Sequence, residues 1–210
     1  MSFARFAACA LGLTCVSLGL AYGAFAQAPN PAPADCSIVG ADEVSQILGF
    51  TVAEPDETSR SGGICFFPSR GITSEGSASY AIVDDDRVAQ RRSYFAVLAR
   101  RCAGVGPGTP REFVCKTYVQ LAQAHDIDEY FASRTGAPDA QAVAGLGDSA
   151  VAAGEALYVK RGDDVFEVVV RRGDALDRER ATTLAKLLLS RVPAHAGPEP
   201  SPSPRRRTDS

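Results

Sequence analysis

Hydrophobic and polar residues recur with two different periods along this chain, and these periods predict its helices and strands. Apolar residues repeat every three to four positions in segments 41–48, 84–101, 126–134 and 176–192, which predicts a helix in each. Segment 77–83 alternates, and 63–67, 150–160 and 165–172 are apolar runs, so these four are predicted strands. Segment 113–121 fits either a helix or a strand, and the pattern leaves that choice open.

The order of these elements predicts the fold class. Helix, strand, strand and helix occur in this order in 41–101 and again in 126–192. Residues 161–164 between the last two strands form a tight-turn sequence, which favours antiparallel pairing. We therefore predict an α+β domain whose antiparallel sheet is built from two αββα-like halves. We further expect a pseudo-twofold axis between the halves and helices packed on one face of the sheet.

The N-terminal 26 residues have the pattern of a secretory signal peptide. One cation, Arg5, precedes an apolar run at 6–20 and the sequence Ala-Phe-Ala at 24–26, which is typical of a cleavage site. The run is shorter than the roughly 20 residues of a membrane span. We expect a periplasmic or secreted protein that starts at Gln27 and has no integral membrane span after cleavage.

The remaining chain divides by composition into a spacer, a domain and a tail. Residues 27–34 are a Pro/Ala spacer that we expect to be extended. Residues 35–192 contain all the periodic segments and form the single predicted domain. Residues 193–210 are rich in Pro, Ser and Arg without apolar periodicity, which predicts a disordered tail.

Four cysteines follow the signal peptide: Cys36, Cys65, Cys102 and Cys115. An even number in an exported chain predicts two disulfides, and three pairings can be drawn. We favour the sequential pairing because each bond then closes a short local loop. A redox or metal site is disfavoured, since the chain has no Cys-x-x-Cys motif and no His near any Cys.

Charge and titratable residues argue against several functions. The formal net charge is −3 and no long segment is strongly basic, which argues against nucleic-acid binding. His125 and Ser149 are separate candidates for hydrolase chemistry, but the chain has no Gly-x-Ser-x-Gly motif. The acidic residues 84–86 fit a helix N-terminus better than a metal site. We expect no catalytic residues, no metal and no cofactor.

The strand at 165–172 carries apolar side chains on both faces. Phe166, Val168 and Val170 share one face, whereas Val165 and Val169 lie on the other with Glu167 between them. If helices cover only one face, the second face needs another cover. Either loops cover it, or Val165, Glu167 and Val169 form a binding surface for a peptide, a lipid or a protein partner.

Three segments resemble the DUF3558-like group of small exported bacterial domains, best known as actinobacterial lipoproteins. They are Cys-Ser-Ile-Val at 36–39 with the helix 41–48, Cys65 beside Phe66, and the turn 143–150 before a hairpin and a terminal helix. The resemblance covers most of 35–192 and implies a Cys36–Cys65 disulfide. It implies no catalytic residues. The chain lacks the group's lipid-attachment Cys and has the additional pair Cys102 and Cys115.

These observations favour an exported, non-catalytic binding or accessory module of the cell envelope. Its ligand is expected to be apolar, or its partner a protein, bound at the sheet face or a neighbouring groove. Two alternatives remain at this point: an envelope enzyme that uses carboxylates, and a structural envelope protein. A buried pair of acids in one pocket would favour the enzyme.

Overall fold

The computed structural model describes residues 34–61, 63–70, 76–106, 108–109, 111–173 and 175–193. The predicted signal peptide lies outside these residues, as do all but one residue of the spacer and all but one residue of the tail.

Within the described residues the chain alternates helical and extended segments, in the proportions of an α+β domain. The helices are α1 (Ala41–Leu48), α2 (Glu57–Ser61), α3 (Asp85–Arg100), α4 (Glu112–Gln123), α5 (Ile127–Thr135) and α6 (Arg178–Arg191). The strands are β1 (Cys65–Pro68), β2 (Ser77–Val83), β3 (Gln141–Ala142), β4 (Ser149–Ala153), β5 (Ala156–Arg161), β6 (Asp164–Arg172) and β7 (Ala175–Leu176). The predicted α+β class is confirmed.

An aspartate begins each of the three helices α3, α5 and α6. The carboxylates of Asp84, Asp126 and Asp177 accept a hydrogen bond from the backbone N–H three residues later. Such a bond satisfies one of the N–H groups that a helix start leaves without a partner, and it stabilises a helix by about 1 kcal/mol. This confirms the interpretation of the acidic segment 84–86 as a helix start, since Asp84 is the cap of α3.

The strands form one antiparallel sheet in the order β1-β2-β6-β5-β4-β3, with β7 paired to the end of β6. The long strand β6 lies at the centre, where it pairs with β2 along its whole length and with β5 on its other side. Its register places Glu167 between Ala81 of β2 and Tyr158 of β5. The middle of the sheet is therefore the most enclosed part of the fold.

Helices cover both faces of this sheet, so the prediction that they pack on one face is wrong. On the first face, Phe166 and Val168 pack with residues of α1 and α6 such as Leu48 and Leu184. On the second face, a separate core contains residues of α3, α4 and α5, among them Phe95. The physical reason is that both faces of β6 are apolar, and each needs cover from water.

The two halves are also not related by a pseudo-twofold axis. A twofold axis between two antiparallel strands runs perpendicular to the sheet, so it keeps each helix on its own face. Here α1 packs on the first face, whereas its counterpart α5 packs on the second. Likewise, α3 packs on the second face, whereas its counterpart α6 packs on the first. The repeated order of elements reflects chain order alone.

Several elements differ from the sequence prediction: α2, β3 and β7 were not predicted, β1 starts two residues later than expected, and three further differences have a clear cause or outcome. The ambiguous segment 113–121 is helical and belongs to α4. The predicted strand 150–160 is a hairpin of β4 and β5, because Gly154 takes a positive φ of 57° and the chain turns there. The C-terminal helix starts at Arg178 rather than Leu176, since Ala175 and Leu176 still pair with β6.

Both disulfides have the sequential pairing that the sequence favoured. Cys36–Cys65 joins the start of the domain to β1, and both cysteines are buried in the core of the first face. Cys102–Cys115 joins the end of α3 to α4 across 13 positions of sequence. The second bond therefore fixes the α3–α4 hairpin, which forms part of the cover of the second face.

Candidate functional site

Glu167 is a charged residue at the centre of the sheet. It lies on β6 between the apolar residues Phe166 and Val168, and its side chain is only 12% exposed. A buried carboxylate without partners would cost several kcal/mol, so its position requires compensating charges and hydrogen bonds.

Three side chains from α3 and α5 supply that compensation. Arg91 of α3 donates from Nη1 to Oε2 of Glu167 at 2.8 Å. The hydroxyl of Tyr130 and the Nε of Arg134, both on α5, donate to Oε1 at 2.7 and 3.1 Å. Arg91 Nη1 also donates to the Tyr130 hydroxyl at 2.5 Å. We call Glu167, Arg91, Tyr130 and Arg134 the Glu167 cluster.

The cluster keeps Glu167 ionised. Burial by itself raises the pKa of this carboxyl, but the charges of Arg91 and Arg134 outweigh it and lower the pKa to about 2. Burial raises the pKa of the Tyr130 hydroxyl above its ordinary value, and the charge of Glu167 raises it further. At neutral pH the cluster therefore contains one carboxylate, two guanidinium groups and a neutral tyrosine.

Two tyrosine rings lie close to the guanidinium groups of the Glu167 cluster. The guanidinium of Arg134 lies 5.1 Å from the ring centre of Tyr158, and that of Arg91 lies 5.8 Å from the ring centre of Tyr130. Both distances are within the range of a cation–π interaction. The positions of the two arginines are thus set by rings on β5 and α5 as well as by Glu167.

A cavity of about 450 Å³ opens beside the Glu167 cluster. Its volume is in the range of small-molecule binding sites. The lining is mostly apolar, with a few charged groups, and consists of Gly63, Ile64, Arg87, Gln90, Arg91, Tyr94, Phe95, Arg134 and Glu167. Arg87 closes one side, where its Nη1 donates to the carbonyl oxygen of Gly63 at 3.3 Å. The lining of this cavity therefore combines apolar side chains with charged ones.

The residues proposed as a sheet-face binding surface have different environments. Val165 is fully buried under the helices, and Val169 is partly buried against the same core. The interpretation of Val165, Glu167 and Val169 as an open surface is wrong, because helices rather than loops cover this face. Glu167 alone of the three lines the cavity.

The other chemical candidates from the sequence lie outside this cavity. His125 is exposed at the start of α5, where Arg92 Nη1 lies 3.0 Å from its Nδ1. Ser149 is exposed on β4, and its neighbour Asp148 accepts a hydrogen bond from the backbone of Gly162. Neither residue lines the cavity beside Glu167.

Among the described residues, the ion pairs at two further concave regions, Lys116–Glu112 and Arg180–Asp177, each join side chains three or four positions apart rather than three elements. A groove of about 580 Å³ lies between α3 and α4, beside Cys102–Cys115. Its ion pair, Lys116 with Glu112, is largely exposed on the lysine side and contributes little. A smaller region of about 370 Å³ lies beside Leu48 and Arg180. We take the cavity at Glu167 as the candidate site because its charges are buried and fixed by three elements.

The described part of the chain has no cluster of three or more His, Cys, Asp or Glu side chains that could hold a metal ion. None of its helices is both long and apolar enough to cross a membrane. Comparisons with known protein families, curated proteins and solved structures found no match to this chain. The resemblance to the DUF3558-like group therefore remains a prediction.

Sequence reasoning missed Arg91, Tyr130 and Arg134 as site residues. The apolar spacing of segment 126–134 predicts a helix but assigns no role in a site to Tyr130 or to either arginine. One signal was present, since Glu167 interrupts an apolar strand and a buried acid needs cations. Choosing among the chain's cations, however, requires knowing which helices lie over β6.

Proposed function

We propose that this chain is an exported, non-catalytic binding module of the cell envelope that holds a small ligand with an apolar part in the Glu167 cavity. The observation that supports this most is the cavity itself. It has an apolar wall that includes Ile64, Tyr94 and Phe95, and its charged groups are few and fixed. Sites of this composition are typical of small-molecule binding.

Export is supported by the cysteine chemistry together with the N-terminal sequence pattern. Disulfides persist in oxidising compartments and are rare in the cytosol. The domain contains two, Cys36–Cys65 and Cys102–Cys115. The predicted signal peptide points to the same compartments.

The electrostatics of Glu167 favour binding over carboxylate catalysis. Catalysis by paired acids needs two carboxyl groups across one cavity, with one of them able to donate a proton. Among the described residues that line the cavity, Glu167 is the only carboxylate. Its pKa of about 2 keeps it ionised at neutral pH, and hydrogen bonds already occupy both oxygens.

The ligand site can be tested with introduced tryptophans, because the chain has none. Ile64 lines the cavity and is 40% exposed, whereas Val119 lines the α3–α4 groove and is 42% exposed. Each is replaced separately by Trp, and both variants are titrated with decanol while Trp emission is recorded. We expect saturable change in Ile64→Trp and no such change in the matched control Val119→Trp. Equal responses in the two variants would contradict the proposed site, and so would no response at position 64 to any ligand with this chain.

A protein partner is the second candidate, and exposed apolar side chains on the α3–α4 hairpin favour it. These side chains are between 42% and 61% exposed, and they are Tyr94, Val97, Phe113, Val114 and Val119. Native mass spectrometry of the protein from an envelope fraction distinguishes the two. A retained small mass supports the cavity, and a retained protein mass supports the hairpin surface.

A further inference from the structure

The charges that line the Glu167 cavity do not balance. Three guanidinium groups line it, those of Arg87, Arg91 and Arg134, together with the single carboxylate of Glu167. Outside the lining, Asp84 interacts electrostatically with Arg87 and offsets one of these charges. One positive charge then remains without a counter-ion among the described residues around the cavity. A partly buried excess charge is costly unless an anion accompanies it.

The two arginines of the Glu167 cluster also retain hydrogen-bonding capacity. A guanidinium group has five N–H donors. Arg91 uses Nη1 for Glu167 and Tyr130, and Arg134 uses Nε for Glu167. In the described part of the chain, no hydrogen bond joins Nε or Nη2 of Arg91, or either Nη of Arg134, to another residue. These groups are placed to bind an oxyanion at the cavity.

The arginines of the Glu167 cluster are less exposed than two apolar residues of the cavity lining, Ile64 and Tyr94. The side chains of Arg91 and Arg134 are 18% and 25% exposed. The residues Ile64 and Tyr94 are 40% and 61% exposed, and they belong to the same lining. Phe95 of the same lining is only 9% exposed, so apolar surface is available both at Ile64 and Tyr94 and among the more enclosed side chains.

We propose that the ligand is an amphipathic anion whose carboxylate or phosphate head group binds Arg91 and Arg134 while its apolar chain lies along Ile64 and Tyr94. This inference rests on the proposed binding function and specifies its ligand class. Glu167 is then a positioning residue, because it holds the two guanidinium groups and does not itself contact the head group.

The test compares three probes that share one chain and differ in the head group. Decanoate, decyl phosphate and decanol are titrated into Ile64→Trp at neutral pH. We expect at least one anion to bind about 10- to 100-fold tighter than decanol, as charge-assisted hydrogen bonds to a partly desolvated guanidinium allow. The anion that binds more tightly identifies the head group. Added salt should weaken its binding and leave decanol unchanged.

Two variants in the Ile64→Trp background make the charge argument quantitative. Arg87→Gln removes a positive charge outside the Glu167 cluster and should weaken anion binding about three- to tenfold. Glu167→Gln keeps an acceptor oxygen for Tyr130 and Arg134 but removes the negative charge that competes with the ligand, so it should tighten anion binding about tenfold. In each variant, the ratio of the anion's affinity to the affinity of decanol measures the effect of the charge change. Far-UV circular dichroism checks that each variant is folded. If Glu167→Gln does not fold, the result for Arg87→Gln is sufficient to test the charge argument.

The outcomes separate this inference from the function on which it rests. Equal affinity for decanol and both anions would overturn the anionic head group and leave the binding module intact. Weaker anion binding in folded Glu167→Gln would also overturn it. A failure of all three probes to change the emission of Ile64→Trp would overturn the binding function and the ligand class together.

Discussion

The substitution Glu167→Gln tests how much the buried cluster contributes to the stability of the fold. The change keeps the size of the side chain but removes its charge, so Arg91 and Arg134 lose their counter-ion where Glu167 is only 12% exposed. Removing one partner of a buried pair costs about 3–5 kcal/mol. The pKa gives a similar figure, since a fall from 4.5 to about 2 corresponds to about 3 kcal/mol.

The sign of the pH dependence follows from the same pKa shift. Because the folded state lowers the pKa of Glu167, this stabilisation is fully present above the unfolded value of 4.5 and is lost as the pH falls towards about 2. Arg91, Tyr130, Arg134 and Tyr158 surround the carboxylate, and none of them titrates in this range. The difference between wild type and Glu167→Gln should therefore shrink between about pH 5 and pH 2.

Urea unfolding followed by far-UV circular dichroism measures this difference. At pH 7 we expect Glu167→Gln to lose about 3 kcal/mol, or about 6–12 °C in Tm for a domain of this size. The matched control is Glu155→Gln, whose carboxylate pairs with Arg171 at the surface and is 61% exposed. The control should change by less than about 1 kcal/mol. Similar losses in both variants, or a difference that persists at pH 2, would refute the reasoning.

Two further predictions concern the backbone and the second disulfide. Gly147→Ala and Gly145→Ala both place a side chain at positive φ, but only at Gly147 would the new Cβ lie 2.3 Å from a backbone oxygen, that of Lys160. We expect about 1–2 kcal/mol of destabilisation at Gly145 and at least about 2 kcal/mol more at Gly147, and equal changes in Tm would contradict this. Replacing Cys102 and Cys115 by Ser opens a 13-position loop and should cost about 3 kcal/mol in urea unfolding, so an unchanged midpoint would contradict the role of this bond.

Most elements of this fold could be predicted from the sequence because their signals are local. The apolar spacing, the capping aspartates and Gly49 define helices without reference to the rest of the chain. The predicted helix 126–134 agrees with α5 to within one residue at each end. The turn at Gly154 is harder to predict. A glycine within an apolar run fits one continuous strand unless the pairing of its neighbours is known.

The arrangement of the helices could not be predicted in the same way. The apolar face of β6 shows that another part of the chain must cover Val165. The residues of β6 do not indicate whether that cover is a helix or a loop. The cover comes from α3, α4 and α5, which lie 30 to 80 positions earlier in sequence than Val165. Packing at this distance depends on the total area that each arrangement buries, and local patterns carry little of that information.

The sequence by itself therefore determined the class of the fold, the positions of most of its helices and central strands, the capping role of the acidic segment 84–86 and the favoured pairing of its cysteines. Only the tertiary structure decided the candidate site. Arg91, Arg134 and Glu167 are ordinary charged residues on three separate elements, and nothing local links them. They become a site because the sheet and its covering helices bring Arg91 and Arg134 within 2.8 and 3.1 Å of Glu167, where low solvent exposure makes their charges interact strongly.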